Sequence, residues 1–163
     1  MVLALENQQN SINLSAMEKY RSKIEKHSAV LEKVGFSPVA SRLYLFLLFA
    51  KQNEGTFEEF IEYFGVSKSA VSNGLKFLQT VHLIISLTKN GQRKRYFKVD
   101  LEGNTGVAHA VARLQEMKLL LEDVFKTKGA SAKNDDLHKL IRYYEMMLVE
   151  YPLILEKWRR SVK

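Results

Sequence analysis

No cysteine occurs in the 163 residues, proline occurs twice and tryptophan once. The missing cysteine excludes disulfides, thiol nucleophiles, thiol-based redox sensing and thiolate metal sites together. Long apolar runs are missing too. The best, Leu43 to Ala50, is about half of the roughly 18 residues that a membrane span needs. Residues 1–10 carry neither a basic n-region nor an apolar core, so no secretory signal and no membrane association are expected, and the expected location is cytoplasmic. At 46% hydrophobic residues the composition is that of a folded globular protein.

The most telling absence is local. Between Phe64 and Val99 there is no aspartate or glutamate, while Lys68, Lys76, Lys89, Arg93, Lys94, Arg95 and Lys98 all fall there. The remaining 18 lysines and arginines balance the 18 acids, so the net charge of +7 sits in this one segment. Diffuse charge mostly governs solubility, but concentrated charge belongs to a surface and so to a partner.

Enzyme chemistry finds little support. The four histidines, His27, His82, His109 and His138, are far apart and lack metal-ligand spacing. His109 and Glu116 share a helix face, but two residues do not make a metal site. There is no phosphate-cradling glycine loop and no nucleophile elbow. Glu58, Glu59 and Glu62 read as a solvated acidic face. No catalytic residue, metal or cofactor is expected.

Most of the chain reads as helix. After a loose leader over 1–14, Ser15 to Glu18 has the form of a capping box. It opens a helix whose seam is Met17, Tyr20, Ile24, His27, Leu31 and Val34. Gly35 ends it, and Ser37-Pro38 restarts a second helix, Val39 to about Lys51, apolar nearly all round. Glu54-Gly55 reads as a break. Thr56 to Glu59 is another capping box, opening a short helix that Gly65 closes. Ser67 caps a further helix, Lys68 to Gln79. Leu83 to Thr88 and Arg93 to Val99 read as strands joined through Asn90-Gly91, a strong hairpin signal. Beyond Asp100, Val107 to Val124 forms a helical seam, Lys128 to Lys133 a break, and Leu137 to Tyr151 a third seam interrupted at Pro152. A last segment, Leu153 to Arg160, carries Trp158.

The helix after Ser67 has two sides. Ser69, Ser72, Asn73 and Lys76 share one face, and Val71, Leu75 and Leu78 share another, about 200° away. The apolar stripe packs inward, with Ala70 and Gly74 admitting the preceding helix closely. The polar stripe offers short donors and acceptors of the kind that read base edges in a major groove. Ser67 presents free amides and the positive helix end to a phosphate. The hairpin adds Lys89, Gln92, Arg93, Lys94 and Arg95, suited to the DNA backbone or the minor groove. Each feature alone is ordinarily a solvated surface; adjacent and free of acids, they read as a duplex-binding unit.

The runs GFSPVASRLYLFLLF, TFEEFIEYFGVSKSAVSNGLKFLQTVHLI and NGQRKRYFKV resemble the MarR-type winged helix-turn-helix regulators, in particular their GbsR-like branch. The matching positions are Ser67, Lys68 and Ser72 in the recognition helix, Leu75 and Leu78 after them, and Gly91, Arg93, Lys94, Tyr96 and Phe97 in the wing. The resemblance covers roughly residues 35–100. It implies DNA contacts at Ser67, Lys68, Ser69, Ser72, Asn73 and Lys76, wing contacts at Arg93 to Arg95, and a homodimer on a pseudo-palindromic operator, usually as a repressor. Asn73 departs from the branch pattern, so base preference there does not carry over.

The expected fold class is therefore mainly α with a small β-hairpin wing. Residues 1–35 form a leader and dimerisation helix, 36–100 the winged helix-turn-helix domain, and 101–163 a C-terminal helical dimerisation region. Three seams exceed what a core of about 65 residues needs, which favours burial against a second copy and puts two recognition helices roughly 34 Å apart. Tyr20, Tyr44, Phe46, Phe49, Phe125, Tyr143, Tyr144 and Trp158 admit two readings: a cage for a cationic small-molecule effector, or core packing, the more ordinary one. The competing function is a winged-helix adaptor that meets an acidic protein surface.

Overall fold

A computed structural model of the chain describes residues 14–89, 94–100, 107–128 and 135–161. The leader, the Asn90-Gly91 turn with Gln92 and Arg93, and nearly all of the expected break at 128–133 lie outside them. The chain divides into two compact units, Met1–Asn104 and Thr105–Lys163.

The first unit holds helices α1 (Arg21–Lys33), α2 (Pro38–Phe49), α3 (Phe57–Phe64) and α4 (Lys68–Thr80), and strands β1 (Glu54–Thr56), β2 (Ile84–Thr88) and β3 (Arg95–Val99). Local chemistry sets most of the boundaries. Ser37 caps α2 by accepting from the Ala40 amide at 3.2 Å, and Pro38 fills the first helical position. At α3 the capping box is complete: Thr56 Oγ1 accepts from the Glu59 amide, and Glu59 Oε2 accepts from the Thr56 amide at 2.7 Å. Gly65 closes α3 at φ 62°, a left-handed conformation that costs glycine nothing.

α2 is the centre of the core. Ala40, Leu43, Phe46 and Leu47 are fully buried, and Phe46 meets Phe60, Tyr63 and Phe64 edge-on with centroids 5.0–5.9 Å apart. α4 buries Val71, Gly74, Leu75 and Leu78 against it. Space for the close crossing comes from Gly74, which faces Ala40 and Leu43 of α2. The helix that approaches is thus α2, two helices back, and not α3 as the sequence order implied.

Four further expectations are corrected. First, helix and seam do not run unbroken from Met17. A helical turn at 14–18 and a turn at 19–20 precede α1, and Glu18 gives both carboxylate oxygens to Arg21, at 2.8 and 2.6 Å. Met17 and Ile24 are buried, but His27 is exposed and Val34 is 70% exposed. Second, Glu54-Gly55 is not a break but part of β1, which makes the sheet three-stranded in the order β1-β3-β2, antiparallel throughout. Third, Glu59 is buried in its cap, whereas Glu58 and Glu62 are solvent-exposed. Fourth, Pro152 does not interrupt the last helix.

That helix belongs to the second unit, which pairs α5 (Val107–Lys128) with α6 (Asp135–Ser161). Proline removes one ladder bond and crowds the preceding turn, yet the inward row Ile141, Leu148, Leu155 keeps its seven-residue step across Pro152. Ile141 and Leu155, on either side of it, are both buried.

Candidate nucleic-acid interface

The amphipathic split expected of α4 is realised. Ser67, Lys68, Ser69, Ser72, Asn73 and Lys76 are all exposed, opposite the buried Val71, Leu75 and Leu78. Ser67 caps the helix by accepting from the Ala70 amide at 3.2 Å, and its hydroxyl lies 3.0 Å from that of Ser69. The two serines thereby order the first turn, whose remaining amides point out of the helix end.

β3 brings a second set of cations to this face. A groove of about 480 Å³ runs between α4 and the start of β3. Ser72, Lys76 and Gln79 form one wall, Lys94 and Arg95 the other, and Leu75 and Phe97 the apolar floor. Residues about twenty apart in sequence thus share one basic concavity, held by the three-strand register in which Phe97 sits between Gly55 and Ser86. Gln92 and Arg93 lie outside the described residues.

Three residues depart from the sequence picture. Phe57 and Glu58, from the start of α3, also line the groove. Sequence reasoning missed them, although a signal existed. If Glu59 turns inward to complete the capping box, Glu58, one residue earlier, is rotated about 100° away. The third is Lys89, which sits on the outer face of the sheet. There its ammonium lies 2.5 Å from Glu54 Oε1 and 4.2 Å from the centroid of the Tyr96 ring. The segment is free of acid in sequence, but pairing with β1 brings one to it.

The aromatic residues of the first unit mostly pack on one another. Tyr20 stacks on Phe49 at 4.8 Å, and Phe46 is fully enclosed. In the second unit Tyr143 and Trp158 are 49% and 43% exposed. Among the described residues, no cluster of histidine, aspartate and glutamate is arranged to hold a metal, and no helix is long and apolar enough to cross a membrane.

No protein-family model matches the sequence, and no curated protein matches it either. Solved structures do. A crystallised transcriptional regulator superimposes with a TM-score of 0.79 at 16% identity, over 87% of this chain and 99% of its own. The fold is a winged helix. Two more distant structural matches are MepR, a transcription regulator of the Staphylococcus aureus multidrug efflux pump MepA, and Sco3205, a MarR family transcriptional regulator from Streptomyces coelicolor in complex with DNA. Both have TM-scores of 0.42, at 16% and 14% identity. They cover 82% of this chain each, and 96% and 84% of their own. In winged-helix terms α3 and α4 are the helix-turn-helix, with α4 in the position of its second helix, and β2 and β3 are the wing.

Proposed function

We propose that this chain is a sequence-specific double-stranded DNA-binding transcriptional regulator of the MarR type, in its GbsR-like branch, that acts as a homodimeric repressor on a pseudo-palindromic operator. The observation that carries the reading is the groove in which Ser72 and Lys76 of the recognition helix face Lys94 and Arg95 of the wing. Ser67, Lys68 and Ser69 at the helix entrance fit phosphate. Ser72, Asn73 and Lys76 fit base edges, with Asn73 suited to bidentate pairing with adenine. Gln92, Arg93, Lys94 and Arg95 fit the sugar-phosphate backbone and the minor groove.

Dimerisation is supported by the apolar surface of the second unit. Leu140, Tyr144, Met147, Tyr151, Ile154 and Trp158 recur at alternating steps of four and three along α6, a heptad stripe. Leu140, Ile154 and Trp158 are 42%, 56% and 43% exposed. A stripe of this kind left in water favours burial against a copy of itself. In the proposed organisation, 36–100 is the DNA-binding domain and 101–163 supplies dimer contacts together with the N-terminal segment. Two recognition helices about one DNA turn apart give the affinity that one helix alone lacks.

The test is selection of bound duplexes from a random pool by the full chain, followed by titration against salt. A palindromic product whose affinity falls by about 10³–10⁵ from 50 to 200 mM salt is the expected result. Absence of duplex binding at any salt overturns the reading in favour of a protein-interaction adaptor.

A further inference from the structure

Lys89 stands apart from the other cations of the basic segment. On the outer face of the sheet, alternation along the strands aligns Glu54 and Thr56 of β1, Tyr96 and Lys98 of β3, and Ile85 and Leu87 of β2. Lys89 lies two residues beyond Leu87. From there its side chain passes over the Tyr96 ring of the central strand to reach Glu54 on the far strand. Glu54 is the more enclosed partner, 16% exposed against 42% for Lys89. Drawing the ammonium away to a phosphate would leave that carboxylate without its 2.5 Å partner. It would also cost the ammonium its contact with the ring.

The contact is placed where the sheet needs it. Among the described residues β2 is an edge strand that pairs with β3 alone, and the ends of such strands open first. A bridge from the end of β2 to β1 ties all three strands at once. Arg95, which lines the groove, begins the strand that this bridge crosses, and Lys94, also lining it, immediately precedes that strand.

Resting on the DNA-binding reading above, we propose that Lys89 is a positioning residue. With Glu54 and Tyr96 it forms a clasp that holds the wing in place for Lys94 and Arg95, and it does not itself neutralise a phosphate. This separates it from the other wing cations, with which sequence reasoning grouped it.

The two roles predict opposite behaviour of Glu54. The full-length chain is titrated with a fluorescein-labelled duplex recovered by selection, over a range of salt, as wild type, Lys89→Gln, Glu54→Gln, both together, and the reversed pair Glu54→Lys with Lys89→Glu. A clasp predicts that Lys89→Gln and Glu54→Gln each weaken binding about two- to fivefold, the range of an exposed ion pair. The double change is then no worse than the worse single, the salt slope stays that of the wild type, and the reversed pair binds better than Lys89→Glu alone, which is titrated beside it. The proposal is overturned if Lys89→Gln lowers the slope by about 0.9, one phosphate's worth, while Glu54→Gln is neutral or tightens binding. It is equally overturned if neither single change alters affinity. Should the wild type bind no duplex at about 50 mM salt, the regulator reading fails and amide exchange in Ile84–Thr88 decides the clasp alone. Faster exchange in Glu54→Gln sustains it, and unchanged exchange overturns it.

Discussion

Gly74 and Leu43 meet so closely that a β-carbon on the glycine would lie 2.8 Å from Leu43 Cδ1, with the Ala40 amide nitrogen and Val39 Cγ1 each at 3.4 Å. α4 is seated on α2 by the lack of a methyl group. Alanine favours a helix over glycine by about 1 kcal/mol, but overpacking a full core costs about 1–3 kcal/mol. Gly74→Ala is therefore expected to lower the melting temperature, and adding Leu43→Val should recover most of the loss. A single variant that melts higher than the wild type would refute the tight seat.

The two parts of the proposed interface should separate on mutation. Asn73→Ala is expected to cost about 1–3 kcal/mol at one base position and relax preference there. Lys94→Ala should weaken every duplex alike and reduce the salt slope by about 1. Parallel binding curves on the selected site and on single-base variants measure both. A uniform loss from Asn73→Ala would remove it from base reading.

Much of this was legible from sequence because the signals are local. Ser37-Pro38, the Thr56 and Glu59 pair and Ser67 each act within four residues, and each cap forms in the structure. The three-four spacing of Val71, Leu75 and Leu78 fixed the buried side of α4. What escaped depends on partners distant in sequence. β1 is three residues long, too short for an alternation pattern, and it exists because Gly55 pairs opposite Phe97. Its Gly55 has no room for a side chain, since an added β-carbon would lie 2.9 Å from the Phe60 ring. Glu54 reaches the basic segment only through that pairing. Pro152 reads as a stop because proline lacks an N–H, but packing of the turns on either side carries α6 through it.

Tyr63 should make stability sensitive to alkali. Its hydroxyl donates to the Met17 carbonyl at 3.0 Å, and the Arg21 guanidinium lies 4.0 Å from its ring centroid. Burial raises its pKa above the ordinary 10.0, and Arg21 partly offsets this. A group raised on folding lends stability that is complete below its unfolded pKa and is lost as pH rises through the folded one. The loss therefore begins near pH 10.0. Tyr63→Phe is expected to cost about 1 kcal/mol at neutral pH, and its urea midpoint should fall less steeply than the wild type's above about pH 10.

The dimer proposal is tested by Ile154→Glu, at a position 56% exposed on α6. Circular dichroism should be unchanged, because the side chain leaves no cavity in the chain's own core. Association should weaken on the order of 2 kcal/mol or more, the penalty for a charge in the centre of an apolar interface. Sedimentation at micromolar concentration should show a shift toward monomer. An unshifted dimer would place the interface elsewhere.

The strand order carries a consequence for how this protein acquires its shape. β2 and β3 are neighbours in sequence and can zip together locally, but β1 must find β3 across roughly forty residues that include both helices of the helix-turn-helix. Closing so long a loop is slow and pays off only once the intervening helices have packed. The hairpin can form early as a frayed ribbon. On this order it stiffens only when Glu54 to Thr56 dock beside it, so packing of α3 and α4 and completion of the wing are expected to coincide.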